Sequence, residues 1–122
     1  MTIRPRRVEK PWGHELIWAE TELYVGKILH VHAGEALSIQ MHEVKDETLH
    51  LLKGEMILLA GPSPEALERI PFVEGDSFRV RPRTVHMIEA VTDVDVLEAS
   101  TAHLDDVVRF SDRYGRAPAD VS

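Results

Sequence analysis

Short stretches in which apolar and polar residues alternate recur along this chain, and glycine or proline closes most of them. The clearest example is Leu37 to His42, in which every second residue is apolar. Alternation with a period of two is typical of a strand with one buried face. We count about eight to ten such strands at the spacing typical of a sandwich or barrel. Because no convincing helix of about ten residues is present, the sequence predicts an all-β fold.

The alternating stretches also predict the domain boundaries. The predicted strands are Glu15–Glu20, Tyr24–His32, Leu37–His42, Glu47–Lys53, Glu55–Ala60, Ile70–Val73, Ser77–Val80, Thr84–Val91 and Asp95–Thr101. Residues 1–10 are basic, and Pro5 and Pro11 prevent a helix there, so a solvated arm is one interpretation. We expect a single domain over residues 1–122, with a barrel core at about 12–103, a charged C-terminal segment at 104–116 and a frayed tail at 117–122.

Composition excludes several classes of function. The 122 residues carry a net charge of −7, which argues against nucleic acid as a partner. The absence of cysteine excludes disulfides, thiolate metal sites and a cysteine nucleophile. The N-terminus shows no signal peptide, and no apolar stretch approaches the ~20 residues that would span a membrane. We therefore expect a cytoplasmic protein.

Four side chains form a candidate metal site. Gln40 and His42 are two apart on a predicted strand and so share a face. Glu47 opens the next strand, and it would return to that face if the two strands pair. His86 is a fourth candidate further along the chain. A carbonyl oxygen, imidazoles and a carboxylate suit a divalent ion such as Zn, Mn, Fe, Ni or Co.

A second histidine pair competes with this site. His30 and His32 lie two apart on the strand face opposite Lys27, Leu29 and Val31. No carboxylate follows them at a matching spacing. Their pattern therefore favours surface histidines over metal ligands.

The spacing of the four candidates resembles the two motifs of the cupin superfamily. Five residues take the places of the first motif, with Gln in place of its first His: Gly34, Gln40, His42, Glu47 and Gly54. Three take the places of the second motif: Gly75, Pro82 and His86. The resemblance implies a double-stranded β-helix, the jelly-roll barrel of cupins, with one divalent metal ion held by Gln40, His42, Glu47 and His86.

Further segments resemble one cupin family, the type II mannose-6-phosphate isomerase domains. The matching segments are Lys10–Gly13, Ser38–His42, Asp105–Arg109 and Asp112–Arg116. Such domains are often fused behind a guanylyltransferase domain. The resemblance implies an aldose–ketose isomerase that acts on a sugar or sugar phosphate through a metal-stabilised enediolate. The family usually has further histidines and a tryptophan around Glu47, which are missing here, so a different substrate or a divergent relative is also consistent with the sequence. We also expect a homodimer, because small cupins tend to pair through edge strands.

The residues that move the proton and hold the substrate are less constrained. Candidates for the acid or base are Glu55, Lys53, His50, Glu89 and Glu98. Candidates for substrate binding are Arg116, from the resemblance, together with Lys53 and Trp12. Two alternative functions remain open at this point. They are a metal-dependent cupin oxygenase and a non-catalytic sugar-binding cupin.

Overall fold

In a computed structural model, which describes residues 1–111 and 114–115, the chain forms two antiparallel β-sheets. The strands are β1 (Arg6–Lys10), β2 (Gly13–Glu20), β3 (Tyr24–Val31), β4 (Ile39–Met41), β5 (Glu47–Lys53), β6 (Met56–Gly61), β7 (Glu68–Phe72), β8 (Ser77–Val80), β9 (Val85–Ala90), β10 (Val94–Thr101) and β11 (Val108–Ser111). One sheet has the order β1-β2-β3-β10-β5-β8, and the other has the order β11-β4-β9-β6-β7. The all-β jelly roll is therefore confirmed. No helix in the described part of the chain could span a membrane.

Inward-facing residues of both sheets form one apolar core. Alternate positions of β3, β5 and β10 contribute Leu29, Val31, Leu49, Leu51 and Val96, and the facing sheet contributes Met56, Leu58, Ile88 and Ala90. Each of these side chains is less than 4% exposed. Their burial stabilises the barrel at about 25 cal/mol for each Å² of apolar surface.

The two sheets extend past the expected core of residues 12–103. β1 pairs with β2 from Arg6↔Ile17 to Lys10↔Gly13, and β11 pairs with β4. Both strands lie at the edge of a sheet. An edge strand gains ladder hydrogen bonds from one neighbour only. Three of the five side chains of β1 are exposed, so that strand carries little apolar alternation.

The turn between β1 and β2 depends on a glycine. Gly13 has φ of 152°, and a Cβ atom there would lie 1.9 Å from the backbone oxygen of His30. Only glycine allows this close approach of β2 to β3. The turn buries the preceding Trp12 to 2% exposure against the core.

The strand that carries Gln40 does not pair with the strand that carries Glu47. β4 lies in the five-stranded sheet, where Gln40 pairs with His86 of β9 and with Arg109 of β11. β5 lies in the six-stranded sheet between β10 and β8. The two strands therefore do not pair with each other, and Glu47 instead reaches His42 across the interior of the barrel.

Candidate metal centre

His42, Glu47 and His86 converge inside the barrel. Their exposed fractions are 4%, 4% and 2%. One carboxylate oxygen of Glu47 lies 3.5 Å from His42 Nε2, and the other lies 3.5 Å from His86 Nε2. One ligand atom from each residue lies within 4.8 Å of the other two. Residues that are far apart in the sequence thus present two imidazoles and a carboxylate to one point.

Asp106 anchors the loop that joins β4 to β5. Its carboxylate accepts hydrogen bonds of 3.0, 2.7 and 2.8 Å from the backbone N–H groups of Glu43, Val44 and Lys45. Burial would raise the pKa of Asp106, but these three hydrogen bonds hold the pKa below its ordinary value. The carboxylate therefore fixes the backbone between His42 and Glu47.

Backbone oxygens fix the tautomers of both histidines. His42 Nδ1 lies 2.6 Å from the backbone oxygen of Asp106, and His86 Nδ1 lies 2.9 Å from that of Thr84. A carbonyl oxygen can only accept a hydrogen bond, so Nδ1 of each ring donates its proton. In the neutral ring Nε2 then keeps a free lone pair. Both lone pairs are available on the side of Glu47, as in metal sites whose ligand histidines are oriented by a backbone carbonyl.

The spacing of these atoms fits a tetrahedral cation. Two nitrogen or oxygen ligands at about 2.1 Å from a tetrahedral ion lie about 3.4 Å apart, close to the two distances of 3.5 Å observed here. The same 3.5 Å is too long for a strong hydrogen bond between imidazole and carboxylate. Glu47 Oε2 is buried and is paired with the ammonium of Lys45 at 2.9 Å. The donor set therefore fits a divalent ion such as Zn²⁺.

Gln40 and Arg109 extend the site across the five-stranded sheet. Gln40 lies directly between His86 and Arg109 in the register of β9, β4 and β11. All three residues line the same cavity, which has a volume of about 310 Å³. Arg109 Nε is buried and makes no hydrogen bond with the described residues. A guanidinium in this state is suited to bind an anion that enters the cavity.

A buried lysine links Glu47 to a second carboxylate. Lys45 Nζ lies 2.9 Å from Glu47 Oε2 and 3.0 Å from Glu98 Oε2. Glu98 also accepts a hydrogen bond of 3.0 Å from Ser100 Oγ. Burial would lower the pKa of Lys45, but Glu98 and Glu47 raise it above its ordinary value. Burial would raise the pKa of Glu47, but the adjacent ammonium of Lys45 helps to hold it well below its ordinary value.

The structure separates the remaining candidates. Glu98 and Trp12 line the cavity. Lys53 and Glu55 are exposed and lie outside the cavity lining, which corrects the expected position of Lys53. Counting every second residue from Glu47 places Lys53 on the cavity face. A bulge at Leu52 breaks this count, because Leu51 pairs with Val96 while Lys53 pairs with the adjacent Asp95.

Two further candidates for the acid or base also lie outside the cavity lining. His50 instead contacts Ser77 Oγ through Nδ1 at 2.7 Å, and Glu89 lies on the opposite face of β9 from Ile88. Arg116, the preferred substrate contact, lies outside the described residues.

Two residues of the site escaped the interpretation of the sequence. Arg109 is the last residue of the segment Asp105–Arg109, whose resemblance to the family was the sequence feature that could have identified it. Lys45 lies in a polar stretch whose composition predicts an exposed loop, but its side chain is buried at 4% exposure. A lysine between a ligand histidine and a ligand glutamate would have suggested an ion pair.

The jelly roll with a His/Glu/His cluster inside it defines a cupin barrel. Solved structures with this fold include KdgF from Halomonas sp. (TM-score 0.71, 19% identity, 83% of this chain and 89% of that chain). They also include an oxalate decarboxylase from Lactobacillus farciminis in complex with formate (TM-score 0.72, 14% identity, 86% of this chain and 33% of that chain). At these identities the likeness shows the fold alone.

Sequence comparison identifies the family. Residues 2–112 match the model of the mannose-6-phosphate isomerase C-terminal family, and the chain belongs to that family. It is also 31% identical over 116 residues to the mannose-1-phosphate guanylyltransferase ManC of Salmonella typhimurium. That match covers 91% of this chain but only 23% of the relative, so the chain spans about a quarter of the relative's length. The expected resemblance is confirmed.

Proposed function

We propose that the chain is a metal-dependent sugar-phosphate isomerase of the mannose-6-phosphate isomerase type. The observation that carries the proposal is the convergence of two histidine Nε2 atoms on the Glu47 carboxylate. His42, Glu47 and His86, with Gln40 as the neighbouring oxygen donor, would hold one Zn, Mn, Fe, Ni or Co ion. When bound, the metal would act as a Lewis acid on the oxygens of the sugar at C1 and C2.

The residues around the centre support a role in proton transfer. Isomerisation of an aldose to a ketose moves a proton between C2 and C1, which needs a positioned acid or base. Glu98 lines the cavity and is 5% exposed, and Ser100 and Lys45 fix its carboxylate. We assign the proton transfer to Glu98.

The basic residues of the cavity support a phosphorylated substrate. Arg109, with its buried Nε, lines the cavity together with Arg6 and Lys10 of β1. A guanidinium binds phosphate through two parallel hydrogen bonds. A local cluster of cations attracts an anion even though the net charge of the chain is −7.

Metal analysis combined with proton exchange tests the proposal. We expect the purified protein to bind a divalent metal and to exchange the C2 proton of an aldose phosphate with deuterium oxide. His42→Ala and His86→Ala should lose most of this metal, and Glu98→Gln should keep the metal but lose the exchange. His50→Ala is the matched control, because His50 lies outside the cavity lining. Full exchange in the metal-free protein would contradict the proposal.

The Lys45–Glu47 ion pair favours a second candidate, a sugar-binding cupin without turnover. The ammonium already supplies one positive charge to the Glu47 carboxylate, so the interior is partly neutralised without a metal. Binding of a sugar phosphate to the metal-free protein, with no exchange in either form, would support this candidate over the isomerase.

We also propose that the chain forms a homodimer. Trp18, Leu23 and Tyr24 line one surface pocket on β2, β3 and their connection, with exposed fractions of 50%, 74% and 55%. Large exposed apolar side chains that adjoin each other are typical of protein interfaces. Sedimentation at micromolar concentration should give the mass of a dimer, and a monomer would contradict the proposal.

A further inference from the structure

A second cluster of metal-ligating side chains lies on the outer face of the six-stranded sheet. His30 is near the end of β3, His32 directly follows β3, and Asp93 directly precedes β10. One ligand atom from each of the three lies within 4.8 Å of the other two. None of them lines the interior cavity. The cluster is therefore separate from the centre at His42.

The pairing of β3 with β10 supplies the carboxylate that the local sequence lacks. Val94 pairs with Val31, which places the turn before β10 beside the end of β3. Asp93 Oδ1 accepts a hydrogen bond of 2.8 Å from the backbone N–H of Ala33. This hydrogen bond fixes the carboxylate next to the histidine pair.

Neighbouring side chains orient His30. Its Nδ1 lies 2.6 Å from Asp95 Oδ1. The carboxylate accepts the Nδ1 proton, and in the neutral ring Nε2 is left with a free lone pair. A carboxylate that orients a histidine in this way is typical of metal ligands. The ring of His14 stacks on His30 at 5.2 Å, and the ring of His32 meets it edge-on at 5.2 Å. These contacts restrict the rotation of the imidazole.

We propose that His30, His32 and Asp93 form a second binding site for a divalent transition-metal ion. Two imidazoles and one carboxylate are the protein ligands of many three-ligand sites for zinc and similar ions, in which solvent or another molecule completes the coordination. His32 and Asp93 are exposed, so the ion would be open to solvent. The site joins the end of β3 to the start of β10. A bound ion stabilises the folded state in proportion to the logarithm of its concentration over Kd.

Titration of the full-length protein with Co²⁺ tests the outer site. We expect His32→Ala to bind one ion fewer per chain than the wild type. Asp93→Asn keeps an oxygen that can accept the Ala33 N–H, and it should weaken the same ion at least tenfold. His50→Ala is the matched control and should bind as the wild type does. If both variants bind as many ions as the wild type with the same affinity, the inference is overturned.

Imidazole NMR signals distinguish the outer site from the inner one. Paramagnetic Co²⁺ should broaden the signals of His30 and His32 whether or not it broadens those of His42 and His86. Broadening of the inner pair alone would overturn the outer site and leave the proposed function standing. Broadening of the outer pair alone would support the outer site and count against the inner metal centre.

Discussion

Replacing Lys45 by methionine should destabilise the metal-free protein strongly. The side chains of Lys45, Glu47 and Glu98 are 6%, 4% and 5% exposed, and the ammonium lies 2.9 and 3.0 Å from the two carboxylates. Methionine is similar in length but carries no charge, so two buried carboxylates would lose their shared cation. Removal of one partner of a buried ion pair costs about 3–5 kcal/mol. Glu98 keeps the Ser100 hydrogen bond, and we therefore expect about 3 kcal/mol.

Urea unfolding in the presence of a chelator measures this loss. The midpoint should fall while the dependence of the free energy on urea stays constant, because the surface exposed on unfolding does not change. Lys53→Met is the matched control, since Lys53 is an exposed lysine at the end of β5 and lies outside the cavity lining. Its effect should stay within about 0.5 kcal/mol.

A double variant checks the physical reason for the loss. Adding Glu98→Gln to Lys45→Met removes one of the two uncompensated charges and should recover part of the stability. A loss of less than about 1 kcal/mol in the single variant, or no recovery in the double variant, would refute the assignment of Lys45 as the cation that balances these carboxylates.

Three further variants test other parts of the structure. Asp106→Ala should lower the free energy of unfolding in urea by about 1.5–3 kcal/mol, because three backbone N–H groups lose a charged acceptor on a partly exposed loop. An unchanged free energy of unfolding would contradict the role of Asp106 in fixing this loop. Gly13→Ala should destabilise the fold by more than about 3 kcal/mol, because its Cβ meets a backbone oxygen. Gly75→Ala is the matched control: its Cβ meets open space, and it should cost only about 1–2 kcal/mol for its φ of 95°. Equal losses of stability in thermal unfolding would count against the close approach of β2 to β3 at Gly13. Arg109→Met should weaken a sugar phosphate at least tenfold in calorimetry and leave the unphosphorylated sugar unaffected, while the exposed Arg69→Met should change neither.

The strands with one buried face could be predicted from alternation alone. Glu47–Lys53 and Ser77–Val80 begin and end where the alternation does. β1 could not be predicted in this way because three of its five side chains are exposed and Val8 is its only apolar residue, and β11 because its four residues lie within a charged segment. β4 is shorter than the alternation from Leu37 suggests, since the register against β9 shifts between Ala36↔Glu89 and Gln40↔His86.

The candidate site was predictable to the extent that it follows sequence spacing. The intervals between His42, Glu47 and His86 suffice to nominate these three residues. Contacts that depend on the pairing of distant strands do not follow from any local pattern. Asp93 meets His32 because β10 pairs with β3 some sixty residues earlier in the chain. The ion pair of Lys45 with Glu98 likewise depends on β5 and β10 lying side by side.

Lys45 provides a way to separate a metal centre from a structural ion pair. If the interior binds a divalent cation, the ammonium beside Glu47 repels that cation, and Lys45→Met should bind the metal more tightly even though the metal-free protein is less stable. A unit charge and a divalent ion about 5 Å apart repel each other by about 1.7 kcal/mol at the dielectric constant of water, so at least a tenfold gain is expected. A purely structural triad predicts the loss of stability without the gain in affinity. Metal titration of the two proteins, with the chelator removed, would therefore count against the metal centre if Lys45→Met bound the ion no more tightly than the wild type.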